Sequence, residues 1–314
     1  MAHRVFIDGA AGTTGLEIRE RLQGRTELKV VQLAEADRKD SRARARALNE
    51  ADLVILCLPD EAAREAVGLI ENPDVRVIDA STAHRTAPGW TYGFAELEPD
   101  QRGKLAASKR VSNPGCWATG FVALMRPLVR AGAVPADFPV SVNGISGYSG
   151  GGKSMIEEFE KRDSPAYVET VARSYALTLA HKHVPEMQKH VGLSHPPVFS
   201  PMVGRFYRGM LVEVPLHTWA LPDKPTTSQV HDVMAEAYRG EKLVEVVSME
   251  VKNSSLDAET LKGTNRIKLF VFGNDKTGQV RLIAQFDNLG KGAGGAAVQN
   301  LNIMLGLPET TGLV

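Results

Sequence analysis

The chain has 314 residues, 43% of them hydrophobic and 24% charged, with a formal net charge of +0. That length exceeds what one core usually covers and points to two domains, and the neutral balance gives no overall field toward nucleic acid or an anionic membrane. No run approaches the ~18 apolar residues of a membrane span, the first residues enter a strand-like segment without a signal-peptide core, and two cysteines far apart, at 57 and 116, argue against a disulfide framework. The expected setting is a reducing cytoplasm.

Residues 4–8 read as a short buried strand, followed at once by Gly9-Ala-Ala-Gly12-Thr-Thr-Gly15. Leu16, Ile18 and Leu22 among charges then mark an amphipathic helix. Residues 28–34 read as a second strand, 41–50 as an Arg/Ala-rich helix, and 52–58 as a third strand stopped by Pro59. A helix over 60–71 and a strand over 75–79 follow. Strands alternating with helices over short connections build βαβ units on a parallel sheet. Beyond about residue 110, β-branched or alternating apolar runs at 139–145, 211–217, 244–251, 266–273 and 280–286 lie farther apart, with helical segments between them. They predict an α+β domain on a mostly antiparallel or mixed sheet. From about 293 the chain reads as a helix, and no internal repeat is visible.

Gly9, Gly12 and Gly15 stand between a strand and a helix. A dinucleotide pyrophosphate needs close backbone approach there, and the helix N-terminus offers N–H groups and partial positive charge. Ala11 lies inside the loop, and Thr13 and Thr14 add hydroxyl donors. The same glycines also suit a tight turn without a ligand. Near the end of the second strand, acidic residues favour NAD and basic ones NADP. The run Glu35-Ala-Asp37-Arg38-Lys39 carries both signs. Arg38 and Lys39 suit a 2′-phosphate, Glu35 suits a ribose diol, and all four charges are compatible with a solvated loop. NADP is the preferred reading.

In Ser112-Asn113-Pro114-Gly115-Cys116-Trp117, the Asn-Pro-Gly step makes a tight turn. Phe121, Val122, Leu124, Met125, Leu128 and Val129 then form a helical apolar stripe. Cys116 is therefore expected at or near a helix N-terminus, where the dipole favours thiolate and the N–H groups can hold an oxyanion. A cysteine filling the start of a buried helix is the alternative. Cys57, inside an apolar strand run, reads as core.

His181-Lys182-His183-Val184-Pro185-Glu186 places two histidines and a carboxylate together. Pro185 suits the first position of a helix, with Glu186 in its first turn and His183 just before it. A cysteine nucleophile needs a nearby base, often oriented by a third group. The His-x-His pair also suggests metal, although no second close pair completes a zinc set.

Together, Gly9–Gly15, Ser112–Gly120 and His181–Glu186 make the chain resemble N-acetyl-γ-glutamyl-phosphate reductase of arginine biosynthesis, in its shorter form. Asp79-Ala-Ser81-Thr-Ala-His84-Arg85, Gly144–Lys153, and Asp287-Asn288-Leu289-Gly290-Lys291-Gly292-Ala293 extend the resemblance nearly end to end. The longer form often has Asp-Phe where this chain has Ala83-His84. The resemblance implies a Rossmann-type parallel-sheet domain at 1–115 with 292–314, and an α+β catalytic domain at 116–291, similar in fold to glyceraldehyde-3-phosphate dehydrogenase. It implies NADP as cofactor, a small acyl-phosphate substrate, and a homo-oligomer (dimer or tetramer). Cys116 would be the nucleophile, His183 the acid/base and Glu186 its orienter. His181, Arg85, Ser146 and Lys153 would serve the substrate. Gly9, Ala11, Gly12, Thr13, Thr14 and Gly15 would cradle the cofactor, with Ser81 near the nicotinamide and Asn288 orienting its amide.

Rival readings are a reductase of aspartyl phosphate or of a carrier-bound aminoadipyl phosphate, a non-catalytic NADP-binding sensor, and a metal-dependent hydrolase using His181 and His183.

Overall fold

The computed structural model describes residues 2–37, 40–250 and 255–313. In chain order its first elements are β1 (His3–Asp8), α1 (Thr13–Leu22), β2 (Leu28–Val31), α2 (Ser41–Asn49), β3 (Leu53–Leu56), α3 (Asp60–Gly68) and β4 (Arg76–Asp79). Then come β5 (Thr91–Tyr92), α4 (Gln101–Ala107), β6 (Arg110–Ser112), α5 (Cys116–Arg130), β7 (Ser141–Gly147), α6 (Gly152–Glu160), β8 (Ala172–Ser174) and α7 (Val184–Val191). The last are β9 (Val198–Gly204), β10 (Met210–His217), α8 (Thr227–Ala237), β11 (Val244–Val246), β12 (Ile267–Asn274), β13 (Gln279–Phe286) and α9 (Gly295–Met304). Contacts divide the chain into Met1–Gly115 with Ala293–Val314, and Cys116–Gly292.

The first unit is a six-stranded sheet in the order β2-β1-β3-β4-β6-β5, parallel throughout. Such a sheet is covered on both faces, so its central strands are continuous apolar runs. Leu53, Val54, Ile55 and Leu56 of β3 are all fully buried. Asp40 caps α2 by accepting the Ala43 N–H at 2.8 Å. The chain returns to this unit at its end, where α9 packs on α1 and α4. The Arg76 guanidinium closes the far end of α9 on the Met304 carbonyl.

The second unit is a seven-stranded mixed sheet, β11-β12-β13-β10-β7-β9-β8. β13 pairs antiparallel with β10 and β12 over its whole length, while β7 runs parallel to β9. Helices α5 and α8 pack on this sheet, and their buried side chains, Phe121, Leu124, Val230 and Met234 among them, carry the core. The strand expected over 244–251 ends at Val246 as β11. β5 and β6 of the first sheet and β8 and β9 of the second were not anticipated by the residue pattern.

Candidate active site

The glycine loop follows β1 directly. Gly9 has φ +86°, and a Cβ there would collide with the Cys57 carbonyl oxygen. Only glycine meets both demands. Gly12 donates to Gly9 O at 3.0 Å, and a Cβ on Gly15 would lie 2.7 Å from that same oxygen, so α1 starts tight against the strand end. Gly12 caps α1 without any side-chain hydrogen bond, and Ala11, Thr13 and Thr14 are half-buried around it. An uncapped helix start behind a close-packed glycine turn fits a dinucleotide pyrophosphate. Arg38 and Lys39 lie outside the described residues, as does the side chain of Glu35. At the end of β1, Asp8 accepts from Arg44 of α2 at 2.9 Å.

Beyond β4 a buried polar turn forms around Asp79. Its carboxylate accepts from Ser81 N at 2.9 Å and Ser81 Oγ at 2.7 Å, and lies 2.6 Å from His84 Nδ1. The His84 ring stacks on Trp90 with centroids 4.1 Å apart. Arg85 is buried, donating from Nε to Asn113 O at 3.0 Å and from Nη2 to Ala80 O at 3.2 Å. Asn113 is a hub. Its N–H donates to Asp79 O at 2.7 Å, its Nδ2 to Ala293 O at 2.9 Å, and its Oδ1 accepts from Asn300 Nδ2 at 3.1 Å.

In the second unit Cys116 is the first residue of α5. Trp117 follows it, buried, with its indole N–H donating to the Tyr175 hydroxyl at 2.8 Å. The Tyr175 ring meets His181 at 5.9 Å between centroids, and His181 meets His183 at 4.8 Å. The Tyr175 phenol is held well above its ordinary range, by burial first and then by the charge of Cys116, against the opposing Trp117 bond. His183 is the N-cap of α7 and donates its backbone N–H to His181 Nδ1 at 3.1 Å. Pro185 and Glu186 fall in the first turn of that helix, and His183 and Glu186 are both buried.

Ser146 is buried at the end of β7, its hydroxyl donating to Gly147 O at 3.2 Å, whereas Lys153 is exposed at the start of α6. Asn288 is buried with both amide atoms engaged, Oδ1 accepting from Gly209 N at 2.8 Å and Nδ2 donating to Ser149 Oγ at 2.9 Å. Its neighbour Asp287 pairs with Arg208 at 2.6 Å. A Cβ on Gly292 would sit 2.8 Å from the Cys116 Cβ. Burial, and then the Asp79 and Asp8 carboxylates, push the Cys57 thiol up to about 12. Among the described residues no three His, Cys, Asp or Glu side chains assemble as a metal site.

Residue patterns alone gave Trp117, Tyr175, the Asn113 hub and the Arg208–Asp287 pair no role. Asn113 was visible only as turn chemistry. Tyr175 carries no local signal, because its partner Trp117 lies in a distant stretch of sequence.

The semialdehyde dehydrogenase NAD binding domain family matches residues 4–105, and the semialdehyde dehydrogenase dimerisation domain family matches residues 116–288. The N-acetyl-gamma-glutamyl-phosphate reductase 2 of Nostoc sp. is 51% identical over 99% of this chain and 99% of its own length. The N-acetyl-gamma-glutamyl-phosphate reductase of Brucella ovis is 53% identical over 98% of this chain and 100% of its own length. The chain belongs to the N-acetyl-γ-glutamyl-phosphate reductase family.

Membership agrees with the architecture. Aspartate semialdehyde dehydrogenase II of Vibrio cholerae superposes with a TM-score of 0.75 at 16% identity, covering 97% of this chain and 98% of that one. The Francisella tularensis aspartate semialdehyde dehydrogenase gives 0.72 at 15% identity, covering 97% and 100%. These likenesses show the fold, a Rossmann-type domain joined to a mixed-sheet domain of the glyceraldehyde-3-phosphate dehydrogenase type. No helix among the described residues is long and apolar enough to cross a membrane.

Proposed function

We propose that the chain reduces N-acetyl-γ-glutamyl phosphate to N-acetylglutamate 5-semialdehyde and phosphate with NADPH, through a thioester on Cys116, in arginine biosynthesis. The near-full-length kinship to reductases of that name carries the substrate assignment. NADPH supplies the hydride, and the loop Gly9 to Gly15 with the uncapped start of α1 would hold its pyrophosphate. Arg38 and Lys39 are assigned to its 2′-phosphate, and Ser81 and Asn288 to its nicotinamide end.

Cys116, opening α5, attacks the γ-carbonyl, and the N–H groups of that helix start stabilise the oxyanion. The C–O bond to phosphate breaks and the thioester remains. His183 takes the thiol proton and later returns one, and Glu186, in the same helix turn, orients its ring. His181, Ser146, Arg85 and Lys153 are assigned to holding the substrate. We place the enzyme in the cytoplasm as a homo-oligomer, the second-unit match to a dimerisation domain supporting assembly.

The test is phosphate-dependent reduction of NADP by the purified protein with N-acetylglutamate 5-semialdehyde, run beside aspartate 4-semialdehyde. A strong rate with the acetylated aldehyde alone is expected. A rate confined to the aspartate compound transfers the chain's activity to that substrate, and no rate with either overturns the proposal. Cys116→Ser should abolish reduction while leaving NADPH binding nearly intact, and activity near wild type would refute the covalent route.

A further inference from the structure

We propose that Arg44 is a positioning residue for the cofactor, whose guanidinium holds the Asp8 carboxylate and cancels its charge beside the loop that takes the pyrophosphate. The inference rests on the reading of Gly9 to Gly15 as the pyrophosphate cradle. Asp8 is the last residue of β1 and stands immediately before Gly9. Side chains alternate along a strand, so Asp8 shares a face with Phe6, which packs in one cluster with Ala47 and Leu48 of α2. Arg44, one turn before Leu48, covers the strand end of that face. It donates from Nε at 3.2 Å and from Nη2 at 2.9 Å, both to Asp8 Oδ2. The two side chains are only 11% and 9% exposed.

A clip between β1 and α2 needs no charge here. Phe6 and Leu48 already join the two elements, and apolar residues of similar volume often serve as well as a buried ion pair or better. What the place does demand is a particular sign. The uncapped start of α1 and the glycine turn before it offer N–H groups and partial positive charge to an anion. A bare carboxylate one residue before that turn opposes them, and a dinucleotide pyrophosphate is itself an anion. Among the described residues Asp8 Oδ1 makes no hydrogen bond, and Arg44 is the cation paired with Asp8. Glu65 Oε1 stands 3.7 Å from Arg44 Nη1, but it is an exposed carboxylate on α3, and such pairs count for little in water. The Asp8 carboxylate fixes the guanidinium at the strand end, and the guanidinium leaves the loop free of an opposing field.

A purely structural pair and a charge-cancelling pair predict different signs in fluorescence titrations of NADPH and NADH. Arg44→Met leaves Asp8 bare. Both dissociation constants are expected to rise about 10-fold, the scale of one uncancelled charge near an anionic ligand. In the reverse assay the loss should fall on KM for NADP rather than on kcat at saturation. Asp8→Asn keeps the shape and an acceptor for Arg44 but leaves the guanidinium uncancelled, so both cofactors should bind about fivefold tighter. The double variant removes both charges and should return affinity to within about twofold of wild type. A structural pair gives no tightening in Asp8→Asn, and unchanged or weaker binding there overturns the proposal. Weakening of NADPH alone in Arg44→Met also overturns it, since that marks a ligand of the 2′-phosphate.

Should Arg44→Met fail to fold, Asp8→Asn alone decides, by the sign of its shift in the two dissociation constants. Failure of the underlying reading is distinct. Gly12 has φ −76°, and a Cβ there would lie 3.5 Å from Gly9 O, so Gly12→Val is expected to fold. NADPH binding unchanged in Gly12→Val removes the cradle itself. Lost binding there, beside unmoved affinities in Asp8→Asn and Arg44→Met, removes only the role of Arg44.

Discussion

Gly292→Ala measures how closely the nucleophile is held. Gly292 is buried, its N–H donates to Asp287 O at 3.1 Å, and its φ is not positive, so alanine meets no backbone penalty. The whole effect is steric. The new Cβ would lie 2.8 Å from Cys116 Cβ and 3.3 Å from Cys116 Cα, while ordinary contact begins near 3.4 Å. Cys116 or the Gly292 backbone must therefore give, by 0.6 Å where ordinary contact is to be restored. Neither neighbouring atom is the far end of a flexible side chain. Cys116 Cβ moves only if the first turn of α5 moves, and that turn is packed through Trp117, Ala118 and Thr119, all buried. A misplacement of about 1 Å costs on the order of 10²-fold in rate. The expected loss in kcat is then between about 10-fold and 10²-fold, with the NADPH dissociation constant changed less than about twofold. Steady-state kinetics of the reverse reaction and fluorescence titration of NADPH read both numbers. A folded Gly292→Ala protein with kcat within about twofold of wild type would show that the thiol tolerates the shift, and the argument from crowding would fail.

The Cys57 thiol, pushed up to about 12 from its ordinary 9.0, keeps a proton that the unfolded chain gives up earlier. Its stabilisation is complete below about pH 9 and is lost as pH rises toward 12, so stability should decline above about pH 9 in wild type and decline less in Cys57→Ala, read by urea unfolding at a series of pH values. Iodoacetamide at pH 8 should accordingly label one thiol per folded chain, and two labels would contradict the raised Cys57 thiol. Arg85→Lys cannot reproduce a fork that reaches Asn113 O and Ala80 O together, and should cost about 1–3 kcal/mol of stability; an unchanged urea midpoint would show those bonds to be dispensable. Asn288→Asp loses the bond from Nδ2 to Ser149 Oγ only in part, since the serine hydroxyl can turn and donate. Its stability should fall less than that of Asn288→Ala, and the reverse order in thermal unfolding would refute the bonding described.

Four strands of the first sheet, β1 to β4, were legible because they read as apolar runs beside strong punctuation, Gly9 to Gly15 after β1 and Pro59 after β3, whereas β5 and β6, two and three residues long, were not. The second sheet was legible where strands alternate, as in β10 and β13. β9 was not, because Pro201 interrupts its run and removes a ladder donor, the mark of an edge or a non-strand. β8 is three residues of Ala-Arg-Ser and has no pattern to detect. The candidate cysteine, histidines and glycine loop were legible in the residues themselves, since each is a local motif, and the family resemblance added the expected roles. Contacts made by folding, such as Trp117 with Tyr175 or Arg208 with Asp287, leave no trace in either stretch taken alone.

Two buried asparagines show what the motifs conceal. Asn113 reads as turn chemistry, and Asn288 as a cofactor residue. In the fold, each first holds backbone. The Asn113 side chain joins Ala293 O to the Asn300 amide, and its own peptide groups bind Asp79 O and the Arg85 guanidinium, so the chain leading to Pro114 and Gly115 has little freedom left. For Asn288 the network also fixes the orientation of the amide. The Gly209 N–H can meet only an oxygen, which leaves Nδ2 toward Ser149 with one hydrogen to spare. A carboxamide meeting Asn288 can accept from that spare hydrogen through its oxygen, while the second lone pair of Asn288 Oδ1 stays open to an N–H donor.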